Sequence, residues 1–330
     1  MDNFQHMPST RHGNIAVLMG GVSREREISL RSGQSLVEAY QRQGIAVEPV
    51  DVHSWKPLVS RLLEKNIQTA VLALHGPCGE DGAVQGLLES LSIPYTGSGI
   101  AASAVCMDKV LCKRILRDGG LPTPDWSLAR VVDGEIEKLD NRKSWVEAPV
   151  FVKPGNSGSS FGVFFVKTLE SLKEILVKSA QMSEGDPKKA VILVERAIVG
   201  HELTLSILDD TPLPIIEIQP EKGFFSYDNK YTAGRTCYKI PPDGVDSGVL
   251  DKVTRLGLEA GRIVGCRGLY RVDFMVDMDK RPWILEINTT PGLTATSLSP
   301  KAARAAGMDF DALAVRILAG ARLDRCCAGC

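Results

Sequence analysis

Residues 271–298, RVDFMVDMDKRPWILEINTTPGLTATSL, constrain the fold more than any other stretch. They read as two β-strands joined by a tight turn at Asp279-Lys280. That turn sets Asp273 opposite Glu286 and Arg271 opposite Asn288. Side chains alternate faces along a strand. One face of the hairpin then carries Val272, Phe274, Val276, Trp283, Leu285 and Ile287, and the other carries Arg271, Asp273, Glu286 and Asn288. Two carboxylates and an amide oxygen converge beside a guanidinium. Such hard oxygen ligands suit Mg²⁺, which takes one or two carboxylates plus substrate phosphates. The arginine suits a phosphoryl transition state or an oxyanion. A solvated face with an incidental salt bridge would show the same alternation. A one-residue error in the turn would not preserve the arrangement, because strand side chains repeat every second residue.

The chain has 330 residues, enough for two or three domains. Its formal net charge of -1 gives no sign of a nucleic-acid surface. No apolar run reaches the roughly 18 residues of a membrane helix, so no membrane partner is expected. Residues 1–13 lack the apolar core of a signal peptide and are expected to be a flexible tail. Cysteines stand at 78, 106, 112, 237, 266, 326, 327 and 330. They are expected to be free thiols in a reducing cytoplasm. The CxxC of Cys327 and Cys330 has no second pair at zinc-ribbon spacing and reads as a tail.

An apolar strand at 15–19 runs into Gly20-Gly21, then a helical pattern through about Gln41. This strand–turn–helix lets a ligand approach backbone at a helix start, but lacks the GxGxxG dinucleotide fingerprint. Glu25 lies in the turn, where a carboxylate can bind a substrate ammonium or simply favour the helix start. Strands at 47–52 and 69–74, with helices between and after them, imply a parallel sheet. The second ends in His75 and the string HGPCGEDG, where ligands of such sheets sit. Residues 93–98 read as another short strand. A helix from Met107 to about Gly119 carries Lys109. Lys153 closes a strand at 150–153 and enters a Gly/Ser loop, 154–162, that returns as a strand at 163–166. Such a loop offers N–H groups and hydroxyls to a phosphate. Glu195 ends a strand at 190–194, and Glu202 opens one at 203–208. Residues 223–242 are polar, aromatic and aperiodic, which marks a long loop. Helices are expected at 247–264 and 310–321.

Taken in order, these pieces closely resemble the D-alanine–D-alanine ligases of the ATP-grasp superfamily. The resemblance spans roughly 14–322. It rests on MGGVSREREISL, HGPCGEDG, YTGSG, MDK, FVKPGNSGSSFGV, VERAIVGHE, DNKYTAG and the hairpin. It implies an α/β and α+β chain, with a Rossmann-like N-terminal domain followed by a two-lobed ATP-grasp fold. The expected division is a Rossmann-like substrate domain at 14–110, a central lobe at 111–196 and a C-terminal lobe at 197–322. That last lobe carries a lid loop, 223–242, and the metal site, with a Cys-rich tail at 323–330. By matching position, Lys109, Lys153 and Lys230 would contact ATP phosphates, and the Glu195 segment and Glu202 would hold adenine and ribose. Asp273, Glu286 and Asn288 would bind two Mg²⁺ or Mn²⁺. Glu25 would take the first D-alanine's ammonium, with His75 near its carboxylate. Arg271 and the Gly292 N–H would stabilise the oxyanion. Ser297 and Leu298 would hold the second D-alanine's carboxylate, while Ser159, Tyr231 and Glu25 would bond together.

The resemblance further implies ligation of two D-alanines through an acyl phosphate, in peptidoglycan precursor synthesis, by a cytoplasmic homodimer. With Tyr231 and Ser159 in place, D-alanine rather than D-lactate is the expected second substrate. One departure is visible: Gly155-Asn156 replaces a polar pair with an arginine, so a more mobile loop is expected. Two other classes stay open. A non-catalytic nucleotide-binding relative could dispense with Arg271 and the metal ligands. A Rossmann oxidoreductase would explain only the first domain.

Overall fold

The computed structural model describes residues 12–140, 144–156, 161–184, 190–220 and 236–324. At its start, β1 (Ile15–Gly20), α1 (Arg26–Arg42), β2 (Val47–Val52), α2 (Trp55–Glu64), β3 (Thr69–Leu72) and α3 (Ala83–Ser90) follow the alternation read from the sequence. Their sheet is parallel, in the order β2-β1-β3. The strand expected at 93–98 shrinks to bridges from Tyr95 to Ala70 and Arg322. The helix expected from Met107 is two helices, α4 (Ile100–Met107) and α5 (Lys109–Asp118). Asp108 makes the break, because its carboxylate accepts the N–H groups of Val110 and Leu111 and caps α5.

The central part contains β4 (Trp126–Val132), β5 (Glu135–Lys138), β6 (Val150–Pro154), β7 (Phe164–Val166), α6 (Leu172–Gln181) and β8 (Val191–Arg196). They form an antiparallel sheet ordered β5-β4-β8-β6-β7. The last part contains β9 (Gly200–Leu208), β10 (Thr211–Pro212), β11 (Ile216–Pro220), β12 (Thr236–Lys239), α7 (Ser247–Val264), β13 (Leu269–Asp277), β14 (Pro282–Asn288), α8 (Leu298–Ala305) and α9 (Phe310–Ala319). Its sheet runs β12-β11-β9-β13-β14, with β10 beside β9.

Three expected boundaries move. The loop expected at 223–242 ends in a strand, since β12 pairs along β11 from Thr236 to Lys239. Residues 221–235, with Lys230 and Tyr231, lie outside the described residues, as does Ser159. The tail expected from 323 is held at its start, where Arg267 Nε donates to Asp324 at 2.9 Å. The N-terminal tail is held at its end, where Thr69 Oγ1 donates to the His12 carbonyl at 2.8 Å.

The hairpin corrects the sequence reading in an instructive way. Its turn spans residues 278–280 rather than two residues: Asp277 N–H donates to the Arg281 carbonyl, and Lys280 takes a φ of 61°. Val276, Met275 and Phe274 therefore face Pro282, Trp283 and Ile284. Leu285 is then left out of the ladder as a bulge, and pairing resumes with Asp273 opposite Glu286 and Arg271 opposite Asn288. The bulge cancels the one-residue error in the turn. Pro282, Ile284 and Ile287 are buried, while Trp283 and Leu285 are not, so those two leave the expected apolar face. Trp283 instead donates Nε1–H to Asp277 Oδ2 at 2.9 Å.

Behind this sheet, Leu203, Leu205, Ile207, Val272, Phe274, Val276, Ile284 and Ile287 pack against α4, α5 and α7. Phe274 is fully buried at the centre of that contact. Phe274→Ala should therefore cost about 3–5 kcal/mol. Urea unfolding monitored by circular dichroism should show the midpoint falling with little change in slope.

Candidate active site

The other face of that sheet is apolar at one end and polar at the other. Leu208, Leu269, Ile216 and Ile218 pack there with α1, α8 and α9. The pairings then bring Thr204 beside Asp273 and Ser206 beside Arg271. Arg271 forks onto Asp273, with Nε to Oδ1 at 2.8 Å and Nη2 to Oδ2 at 2.7 Å. Thr204 Oγ1 donates to Asp273 Oδ1 at 2.6 Å, and Asn288 Nδ2 donates to Oδ2 at 3.1 Å. Lys109 Nζ reaches Glu286 Oε2 at 3.3 Å. All four predicted hairpin residues thus meet on one face. Thr204 was missed, although alternation through ELTLSIL marks it as a neighbour of Glu202's face.

Lys153 lies on β6, on the side of its sheet away from the Val150 and Val152 core. It donates to Glu195 Oε1 at 2.5 Å. Lys113 pairs with the other oxygen of Glu195 and donates to Thr123 Oγ1 at 2.5 Å. Glu195 is 2% exposed, and both oxygens are taken by lysines. The Glu195 side chain is thus held by Lys113 and Lys153, which leaves the backbone of its segment to meet a ligand. Burial pushes its carboxyl up, but Lys113 and Lys153 outweigh that and leave it below the ordinary value. Burial pushes Lys113 down to about 8 against the pull of Glu195. Lys113 was also missed; its spacing of four from Lys109 on α5 puts both on one helix face.

The Gly155 backbone is pinned on both sides. Its N–H donates to the Val191 carbonyl at 2.8 Å, and its carbonyl accepts Lys109 N–H at 2.8 Å. The expected loosening therefore does not begin at Gly155. Glu202 stands on β9 opposite Met275 and Ile218, at the polar end of the sheet.

Glu25 and His75 come together at the end of β1 and β3. Glu25 is 9% exposed. Gly76 must be glycine here: its φ is 72°, and a Cβ would lie 3.1 Å from Glu25 Oε2. Ser23 Oγ donates to the His75 carbonyl at 2.7 Å. The His75 ring lies 3.2 Å from Ser32 Oγ through Nε2 and 3.5 Å from Glu80 Oε1 through Nδ1. Ser32 Oγ also accepts the Leu293 N–H at 3.3 Å, which ties the Gly292 segment to α1. Ser297 caps α8 and shares a 2.8 Å hydrogen bond with Thr294 Oγ1, while a Cβ on Gly292 would come 3.0 Å from Ser297 Oγ. The Leu298 side chain is buried in the core.

Known proteins resemble this chain over most of its length. Residues 58–98 match the family model "D-ala D-ala ligase N-terminus", and residues 115–319 match "D-ala D-ala ligase C-terminus". The chain belongs to the D-alanine–D-alanine ligase family. It is 50% identical over 311 residues to the D-alanine–D-alanine ligase of Magnetococcus marinus, covering 94% of this chain and 97% of that one. Identity to the Syntrophotalea carbinolica ligase is 43% over 312 residues, covering 94% and 96%. A crystal structure of the Bacillus anthracis ligase in complex with ATP superposes with a TM-score of 0.77 at 34% identity, covering 93% and 96%. These neighbours establish the ATP-grasp architecture for the chain.

The imidazole of this ligase should titrate late. Burial pushes the His75 pKa down, but Glu80 and Glu25 outweigh it and leave it above 6.5. Because the folded value is raised, protonated His75 contributes stability that is complete below pH 6.5 and fades as pH rises through the folded value. NMR titration of the ring should give a midpoint above 6.5, and Glu80→Gln should lower it.

Proposed function

We propose that this ligase joins two D-alanine molecules to D-alanyl-D-alanine at the expense of ATP, giving ADP and phosphate, for cell-wall precursor synthesis. The observation that carries the reading is the Arg271–Asp273–Asn288 face with Lys109 on Glu286. A carboxylate is a poor acyl donor, so the first D-alanine carboxylate attacks the γ-phosphate and becomes an acyl phosphate. Glu25 holds that substrate's ammonium, and His75 faces its carboxylate. Lys109 and Lys153 neutralise phosphate charge, with Glu195 and Lys113 fixing the position of Lys153. The second D-alanine amine then attacks the acyl carbon, and phosphate leaves. Arg271 and the Gly292 N–H stabilise the tetrahedral oxyanion, while Ser297 and the Leu298 N–H hold the second carboxylate. Glu202 takes the ribose.

The donor set on the hairpin suits a hard cation, because Asp273 and Glu286 oppose each other across the ladder with Asn288 on the same face. These residues would hold two Mg²⁺ or Mn²⁺, which when bound would offset charge on the transferred phosphoryl group. A homodimer in the cytoplasm, and the division at residues 110 and 196, complete the reading. Lys230, Ser159 and Tyr231 belong to it by matching position alone, as residues outside the described part.

Asp273→Asn or Glu286→Gln should lower turnover roughly hundredfold or more while the circular dichroism spectrum stays unchanged. ADP release measured at limiting Mg²⁺ checks this, and near-wild-type rates in both variants would remove the metal assignment. Mass spectrometry of products from competing D-alanine and D-lactate should show the dipeptide. Predominant depsipeptide at neutral to alkaline pH would overturn the substrate choice alone.

A further inference from the structure

Three of the cysteines meet behind the catalytic sheet. Cys106 ends α4, Cys112 lies in α5, and Cys266 sits between α7 and β13. Cys106 Sγ lies 4.0 Å from Cys266 Sγ. The Cys112 thiol is a neighbour of the Cys106 thiol. All three are at most 9% exposed and belong to one core cluster. A buried cysteine usually serves as a small apolar side chain. That role asks for apolar neighbours and gives no reason for three thiols from three segments to touch. We propose that Cys106 and Cys266 form an oxidative modification site, closing to a disulfide when a hydroperoxide reaches the cluster.

The chemistry balances with that one co-reactant. The sulfur of Cys266 attacks a peroxide oxygen; an S–O bond forms, the O–O bond breaks, and the leaving oxygen takes the thiol proton. Cys106 sulfur then attacks the resulting sulfenic acid. An S–S bond forms, the S–O bond breaks, and the departing hydroxide takes the Cys106 proton as water. The two thiols together lose two electrons and two protons, and the hydroperoxide is reduced to water or an alcohol. Cys112 contacts Cys106 as a third sulfur. The neighbouring Cys112 and Cys266 thiols, and then burial, push Cys106 well up. Its contact with Cys106, with Lys113 and Lys109 nearby, brings Cys112 down despite burial.

Closing the bond needs the sulfurs to move from 4.0 Å to about 2.05 Å apart. That draws the end of α4 toward the segment that enters β13. Lys109 begins the helix after α4, and Arg271 and Asp273 lie on β13. Both sides of the phosphate site would shift together.

Full-length protein treated with hydrogen peroxide, then alkylated and digested, should yield the Cys106 and Cys266 peptides joined and lighter by two hydrogens. Ligase turnover should fall roughly 10- to 100-fold, as expected for ångström-scale displacement of catalytic groups, and return with a reducing dithiol. Cys266→Ser should keep its resting activity and resist peroxide; Cys106→Ala serves the same purpose if that variant fails to fold. The activity arm rests on the proposed function, whereas peptide mapping stands without it. Cys106 and Cys266 still alkylated while exposed Cys237 is oxidised would overturn the proposal. So would a link from Cys106 to Cys112, or equal inactivation of the variants and the unmodified sequence.

Discussion

The register of the β13–β14 hairpin decides which side chains enter the core and which gather beside Arg271 and Asp273 on the open face. A strand side chain has only two directions, so one slipped residue exchanges core and site. Here the turn adds a residue and the Leu285 bulge absorbs it. The bulge falls between Ile284, which is needed in the core, and Glu286, which is needed on the open face. Both demands are met within three residues. The cost is one unpaired ladder position on the last strand of the sheet, where the Ile284 N–H turns outward to the Pro122 carbonyl at 2.8 Å.

A second constraint is electrostatic. Glu195 would be expensive to bury alone, and so would either lysine beside it. Together they form a compact lysine–carboxylate–lysine group with an excess positive charge at Lys153 and Lys113. In the proposed reaction, a phosphate near Lys153 would complete that balance. Lys109 shows the same logic on a smaller scale through its contact with Glu286. One cation stands on β6 and the other on α5, and each is held by a carboxylate from another part of the sequence.

Much of this was legible in the sequence. The α/β alternation, the hairpin face, the His75 and Glu25 turn and the helix at Ser247–Val264 follow from periodicity and turn chemistry. The failures have physical causes. The partners of Glu195 stay hidden because a one-dimensional pattern does not show that Lys113, from another element, takes one of its oxygens. Trp283 and Leu285 look apolar-facing because alternation cannot reveal a bulge. The Asp108 helix break has a local cause, a capping residue inside an otherwise helical run. Bridges such as Ser32 to Leu293, 261 residues apart, leave no local signature at all.

The division of the core has a consequence for how the molecule can move. One cluster joins β1 and α1 to Leu208, Ile216, Leu293, α8 and α9, and Tyr40 donates from α1 to the Ala314 carbonyl at 3.0 Å. The first and last parts of the chain are therefore one body with a shared interior. The central sheet has its own interior around Val150, Val152, Leu176 and Val194. Separating the first two would expose the apolar surface of that shared interior, whereas displacing the central sheet would part the small cluster that Val110 of α5 forms with Trp126, Leu128 and Leu193 and leave the sheet's own interior closed.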